Sequence, residues 1–556
     1  MTDPLACFRQ PLTGSLDPMQ FSSLAQFFSE SAKLHGDKLA FTALGHSISY
    51  RQLDELSDNF AAYLQQKTKL QVGDRIAIQL PNILQFPIAA IGAVKAGLTL
   101  VNTNPLYTSR EMKHQFQDAD VKAIVILENF GDKLEHIIGD TAIETVITTE
   151  LGDALPAVKR YAINFALRYI KKMVPKFKIT GAVQWQSVLS ASTQAAQLVS
   201  DIPRDETAVI LYTGGTTGLA KGAMLTHANL LANMFQLRAV SMGIIHDGTD
   251  TLIAPLPLYH SYAFMLHMLT MFYAGNHNVL VPNPRDIDSL ISVMRTTRPN
   301  GIVGINTLYL ALCRHKDIRK VDFSHLRFSG AGGMALTPSV AKEWGEITQC
   351  EVFEGYGLTE CSPIVTLNPV GAVRLGTVGV AVPETELKVI DDDGKDVTGS
   401  ESGELLIRGP QVMKGYWNND EATANSIDSE GWLKTGDCAL IDDEGYVKIV
   451  DRKKDMIIVS GFNVFPSEIE ELVNSMPEVS ESAVIGIPNE DSGELVKLFV
   501  VAKNPSLDVS SIKAFCKENL TAYKVPKQIV IVDDLPKSNI GKILRRELRE
   551  QELAKT

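Results

Sequence analysis

Between Tyr212 and His227 the chain reads YTGGTTGLAKGAMLTH. Gly214, Gly215, Gly218 and Gly222 are set among Thr213, Thr216 and Thr217 and a single cation, Lys221. Glycines let backbone N–H groups come close to an anion, threonine hydroxyls donate, and the lysine adds charge. Such a stretch is built to hold a phosphate. It is not a Walker A loop, because Lys221 stands between Ala220 and Gly222 where that motif needs Gly-Lys-Ser/Thr. Nor does it read as a flexible linker, since Tyr, Lys and His hold fixed places between apolar runs. The run AVIL (Ala208–Leu211) before it reads as a buried strand. THANLLANMFQL after it reads as a helix with Thr226 as N-cap. The expected order is strand, loop, helix.

Further along, EGYGLTE (Glu354–Glu360) groups an aromatic ring, glycines, a hydroxyl and a carboxylate. Tyr356 can stack on a flat base, Thr359 can donate to a phosphate, and Glu360 can hold magnesium, which prefers oxygen ligands. GWLKTGD (Gly431–Asp437) ends in a carboxylate suited to the two hydroxyls of a ribose, and Arg452 follows fifteen residues later. PLPLYHSYAF (Pro255–Phe264) carries His260, and GAGGMAL (Gly330–Leu336) supplies small residues that leave room for a ligand. PKSNIGKILRREL (Pro536–Leu548) sets Lys542 on a glycine-bearing turn before a basic helix. Taken singly, each has a plainer reading. Glu360, Asp437 and Arg452 could be solvated or salt-bridged surface groups, His260 a satisfied core residue, and Lys542 a solvated tail lysine.

Taken in order, these motifs resemble those of the adenylate-forming superfamily, which includes acyl-CoA synthetases, peptide-synthetase adenylation domains and luciferases. The chain closely resembles bacterial long-chain fatty acyl-CoA synthetases, over nearly its whole length and most strongly from Glu430 onward. That resemblance implies ATP and CoA as substrates and Mg2+ as cofactor. It implies an ATP site of Thr213, Gly214, Gly215, Thr216, Thr217, Gly218, Lys221, Tyr356, Gly357, Thr359, Asp437, Arg452 and Lys542, with Thr213 and Glu360 nearest the metal. Lys542, Lys221 and His260 would serve catalysis. His260, Phe264, Gly330 and Gly332 would meet the acyl group, although Phe264 stands where some long-chain enzymes carry a gating tryptophan. Lys454 matches the family hinge, and Gly461, Phe462 and Asn463 match the loop that meets CoA. The implied reaction is activation of a long-chain fatty acid to acyl-CoA through an acyl-adenylate, with AMP and pyrophosphate released. It would feed fatty-acid degradation or lipid synthesis. A medium-chain or aryl acid–CoA ligase, a luciferase-like oxidase and a degenerate, non-enzymatic lipid-binding homologue are the alternatives. No covalent nucleophile is needed, and no GxSxG pattern appears in the sequence.

These residues need a scaffold. RIAIQL (Arg75–Leu80), KAIVIL (Lys122–Leu127), TLIAPLP (Thr251–Pro257) and NVLVP (Asn278–Pro282) read as strands. Tyr50–Gln66 reads as a helix by its leucine and aromatic spacing. Their alternation predicts an α/β fold with parallel strands. From about Thr377 turn signals multiply and helix formers thin out, which predicts a β-rich subdomain at about 377–451. After Arg452 a compact α+β pattern takes over. The expected organisation is a large N-terminal domain, 1–451, of α/β subdomains plus the β-rich one, and a small mobile α+β C-terminal domain, 452–556.

The chain has 556 residues, more than one core accommodates. Its net charge of −12 argues against nucleic acid as a partner. Six cysteines, none in a CxxC pair, suit a reducing compartment better than a disulfide or zinc framework. The N-terminus carries Asp3 and Pro4 where a signal peptide needs a basic start and an apolar run. Phe86–Val101 comes nearest to a membrane span but contains Lys95 and falls short of the roughly 20 residues required. A cytoplasmic protein is expected, peripheral at most at the inner face of the membrane, and a homodimer is left open. Ala157–Thr180 stands apart: AVKRYAINFALRYIKKMVPKFKIT has seven cations, no acid, and apolar residues at helical spacing. Two mountings fit it. Either the apolar stripe packs on the core, or it lies on an anionic membrane.

Overall fold

The computed structural model describes every residue except 1–2, 192–194, 214–219, 400, 461, 490–491, 505–506, 538–541 and 555–556. Two large sheets dominate. In one, five parallel strands (His277–Leu280, Thr251–Ala254, Gly301–Gly304, Phe328–Ala331 and Val352–Gly357) run side by side and are extended at both ends. In the other, six parallel strands end at Thr207–Thr213, with Thr99–Asn102, Arg75–Gln79 and Val121–Leu127 beside it. Parallel strands covered on both faces must be apolar almost throughout. Val121–Leu127 meets that demand, with six of its seven residues buried. The expected α/β class is the observed one.

The stretch Phe86–Val101 is core. Helix Gln85–Lys95 is buried at every position. Lys95 ends in it with its ammonium 2.5 Å from Asp54 Oδ1, 2.9 Å from Ser57 Oγ and 2.7 Å from Asp58 Oδ1. Positions 54, 57 and 58 share one face of helix Tyr50–Lys67, so three acceptors meet three donors and the buried charge is satisfied. Among the described residues, no helix is long and apolar enough to cross a membrane.

One local expectation is corrected. The glycine–threonine loop does not lead into a helix. Lys221–Thr226 is a strand, antiparallel to Thr207–Thr213, with Thr213 opposite Lys221. The helix His227–Ser241 begins only afterwards, with Thr226 in a reciprocal capping box with Asn229. What makes it a strand is its ladder, which pairs Lys221, Gly222, Ala223, Met224 and Leu225 with Thr213, Tyr212, Leu211, Ile210 and Val209 in turn. Strands Thr207–Thr213 and Lys221–Thr226, the stems of a hairpin, flank the loop on both sides.

The β-rich segment forms a four-stranded antiparallel sheet of Glu386–Ile390, Gly403–Arg408, Leu433–Ile441 and Val447–Arg452. Beyond it the chain builds a smaller sheet around the hairpin Val479–Asn489/Gly493–Ala502, flanked by helices Pro466–Asn474, Val509–Asn519 and Arg545–Leu553. This part has its own apolar core, including Ile469, Val473, Val484, Leu498 and Ile512.

Candidate active site

The large sheets, the β-rich sheet and the C-terminal lobe converge on one cleft of about 2760 Å³. Thr213, Lys221, His260, Gly330, Gly332, Tyr356, Gly357, Thr359, Glu360, Asp437, Arg452, Lys454 and Lys542 all line it. Gly214, Gly215, Thr216, Thr217, Gly218 and Gly461 lie outside the described residues.

The β-rich sheet places the first pair. Asp437 and Arg452 sit directly opposite each other on neighbouring antiparallel strands. Arg452 Nε lies 2.6 Å from Asp437 Oδ1, and the Tyr356 hydroxyl donates to Asp437 Oδ2 at 2.5 Å. Both oxygens of this buried carboxylate are thus engaged, and they tie Tyr356, on the large-sheet strand Val352–Gly357, to the β-rich sheet. Burial, then the Asp437 charge, raises the Tyr356 phenol well above its ordinary pKa, so it stays a donor.

Across the cleft, Tyr416 donates to Glu360 Oε1 at 2.8 Å. Its ring carries the Lys221 ammonium 5.0 Å from the centroid. Tyr416 reaches this place because Gly415–Tyr416 pairs with Lys221–Thr226 as an edge strand. Ser261 Oγ and Thr359 Oγ1 are 3.2 Å apart. Neither Tyr416 nor Ser261 was singled out from the sequence; only strand pairing brings Tyr416 to Glu360.

Lys542 arrives from the C-terminal lobe. It keeps solvent contact, but the protein around it displaces enough water to lower its pKa, and the charge of Arg452 lowers it further. Its charge also reaches His260. Burial, and secondarily Lys542, push that imidazole down to about 4, so it is neutral at physiological pH. His260 Nδ1 accepts from the Tyr262 N–H at 3.4 Å, capping the turn that follows. Lys454 is brought to about 8, by burial first and Arg452 second.

The glycine-lined wall of the cleft is closely packed. A Cβ on Gly332 would lie 3.3 Å from Gly355 O and 3.4 Å from the Tyr262 ring. A Cβ on Gly357 would lie 2.0 Å from Pro363 O, so only glycine fits there. Phe264 is buried in the central core and is not among the cleft-lining residues; Leu266, two residues on, is. Phe462 and Asn463 are also outside the cleft. They are exposed on strand Phe462–Val464, with the Phe462 ring stacked 4.7 Å from that of Tyr523.

Glu354 had no role assigned from the sequence. It is buried beside the cleft, accepts from the Leu336 N–H at 2.9 Å, and is raised by burial to about 7. As for metal, no group of three or more His, Cys, Asp or Glu among the described residues is arranged to hold an ion. Glu360 offers one hard carboxylate, which suits Mg2+ bound mainly through a nucleotide's own phosphates.

Comparison with known proteins agrees with this architecture. Residues 28–417 match the family described as AMP-binding enzyme, and residues 468–542 match the AMP-binding enzyme C-terminal domain. A long-chain-fatty-acid–CoA ligase of Escherichia coli O157:H7 is 46% identical over 537 residues, 96% of each chain. Its counterpart in Haemophilus influenzae is 46% identical over 543 residues, 97% of this chain and 96% of its own. The crystal structure of ATP-bound MatB from Rhodopseudomonas palustris superposes with a TM-score of 0.80 at 30% identity, covering 94% of this chain and 98% of that one. The chain therefore belongs to the AMP-binding, adenylate-forming enzymes, in the branch that holds these long-chain-fatty-acid–CoA ligases.

Proposed function

We propose that the protein is an AMP-forming long-chain-fatty-acid–CoA ligase that works in two half-reactions at the one cleft. In the first, a fatty carboxylate oxygen attacks the α-phosphorus of ATP. The bond to the β-phosphate oxygen breaks, and pyrophosphate leaves. Lys221 and the Thr213 hydroxyl stabilise the departing phosphates, and Lys542 offsets the charge of one anion attacking another. Asp437 and Arg452 hold the ribose, with Tyr356 against the base. Glu360 and Thr213 would hold magnesium together with the phosphates, and the ion would supply charge neutralisation on the transferring group. In the second half-reaction the CoA sulfur attacks the acyl carbon, the bond to AMP breaks, and the thiol proton is released.

The roles assigned to the two lobes rest on one observation: Lys542 reaches the cleft that holds Asp437, Arg452 and His260. With Lys542 in place, Phe462 and Asn463 stand outside it. One lobe thus offers two working faces, and a turn about Lys454, between a body ending near 451 and a lobe beginning near 452, exchanges them. Neutral His260 lines the acyl-adenylate site without adding charge. The reading places the protein in the cytoplasm, where ATP and CoA are available, with peripheral contact at an anionic membrane face through Ala157–Thr180.

The test is acid-dependent AMP formation with CoA present, across acids from hexanoate to octadecanoate. Turnover per unit KM should rise toward the long chains. A preference for short or aryl acids would overturn the substrate assignment, and no acid-dependent AMP at all would overturn the reaction.

A further inference from the structure

Ala157–Thr180 contributes nothing to the cleft, and its mounting is unusual. It forms a helix, Ala157–Phe165, continued by a wide π-helical turn, Ala166–Ile170, and stopped by left-handed backbone at Lys172. A surface helix ordinarily buries its apolar stripe. Here the polar side is docked. Asn164 is the one buried residue of the helix. Its amide oxygen accepts from Gly152 N at 2.9 Å, and its amide nitrogen donates to Asp153 Oδ1 at 3.0 Å. Arg168 pairs with Glu150 at 2.9 Å and with Glu128. Farther on, Asn129 donates to Met173 O at 3.0 Å, and the Phe177 ring covers Gly131.

The apolar side faces water. Val158, Tyr161, Phe165, Tyr169, Ile170 and Met173 are between 54% and 84% exposed. The rings of Phe165 and Tyr169 sit 5.0 Å apart, forming a ridge. The ridge adjoins the hairpin tip at Leu44, itself exposed, because Lys159 donates to Gly45 O at 3.2 Å. Lys171, Lys172, Lys176 and Lys178 are exposed along the same segment. The acids that its docked side meets, Glu128, Glu150 and Asp153, are engaged there.

We infer that this inside-out segment is a docking face for an anionic lipid bilayer, with the Phe165–Tyr169–Ile170 ridge entering the boundary between headgroups and acyl chains and the lysines resting on the headgroups. Charge selects this occupant. In a chain of net charge −12, a patch of cations without acids complements an anionic surface, whereas a second copy would bring the same cations face to face. The face would let a ligase draw its substrate from the bilayer into which long-chain acids partition. In that link to substrate supply the inference rests on the fatty-acid reading; the docking itself does not.

Co-sedimentation of the full chain with vesicles tests it. Wild type should bind phosphatidylglycerol-containing vesicles and bind pure phosphatidylcholine weakly. The triple variant Phe165→Ser, Tyr169→Ser, Ile170→Ser should lose at least about 100-fold in partitioning, because three large apolar side chains leave the membrane. Lys171→Glu with Lys172→Glu should lose at least about 25-fold on the anionic vesicles, and less at high salt. A Tyr169→Trp variant should be quenched by brominated lipid beyond the wild-type tryptophan signal, which keeps the test independent of the folding of the triple variant. Equal vesicle binding by wild type and triple variant, no added quenching in the Tyr169→Trp variant, or a dimer that the triple variant abolishes without any vesicle binding would each overturn the proposal. Both multiple variants should form AMP from a soluble short-chain acid as wild type does. Vesicle binding by a protein that forms no AMP with any acid would sink the fatty-acid reading and leave the docking face standing.

Discussion

Asp451 is the residue at which the two-lobe arrangement is most open to test. It is the penultimate residue of the body strand Val447–Arg452, and its side chain is 1% exposed. Its Oδ2 accepts from the Ser467 backbone N–H at 2.7 Å and its Oδ1 from Arg545 Nη1 at 3.2 Å. Both donors lie beyond Lys454, so any turn of the lobe about Lys454 breaks both bonds. Arg545 stands three residues after Lys542 and also grips Glu470 at 2.6 Å. The pair therefore fixes the helix whose approach carries Lys542. Replacing Arg545 would leave Glu470 without its counter-charge inside the lobe, at a cost of about 3–5 kcal/mol in folding. Asp451→Asn is the cleaner perturbation: one oxygen still accepts from Ser467, and the charge on Arg545's partner is gone. A hydrogen bond between charged groups contributes about 1.5–3 kcal/mol, a factor of roughly 10 to 150 in population. ATP–pyrophosphate exchange with a long-chain acid should fall by roughly tenfold or more, while thioester formation from supplied acyl-adenylate stays level or rises. The melting temperature should change little. Equal loss in the two half-reactions, or unchanged exchange in a folded variant, would refute the latch.

Lys542→Ala should cut pyrophosphate exchange by about 100- to 1000-fold, the loss expected when one charge-stabilising donor is removed, and largely spare the thioester step. Tyr416→Phe keeps the ring beneath Lys221 but removes the bond to Glu360, so the KM for Mg-ATP should rise by roughly 10- to 100-fold, read by titrating magnesium at fixed ATP. Glu354, held at about 7 against an ordinary 4.5, releases its proton sooner in the unfolded chain than in the folded one. Wild-type stability should therefore fall as pH rises from 4.5 to 7 and remain lower above it, by up to about 3 kcal/mol. Glu354→Gln should melt higher than wild type at about pH 8, with the gap closing below about pH 4.5 in denaturant titrations.

The parts of the site legible in the sequence were those whose chemistry and neighbours lie close together along the chain. Val121–Leu127 reads as a strand because it is buried on both faces, and Thr226 reads as a cap because its partner Asn229 is three residues away. Asp437 and Arg452 are fifteen residues apart in sequence, yet a hairpin makes them direct neighbours, so their pairing was within reach of local reasoning. Lys221–Thr226 was not. Five residues between a glycine loop and the cap Thr226 are too few to display a period, and the partner strand that defines them lies on the far side of the loop. Tyr416 is the harder case, because its role depends on an edge strand nearly two hundred residues from its partner, and nothing in Lys414–Trp417 announces a carboxylate neighbour. The inside-out segment marks a different limit. Its spacing of apolar and basic residues is the same whichever face is docked; what decides the matter is where Asn164 and Arg168 find partners, and those partners, Gly152, Asp153, Glu150 and Glu128, are placed by the body's own sheet. A helical period states that two faces differ. The acceptors on the surface beneath determine which of them is turned to water.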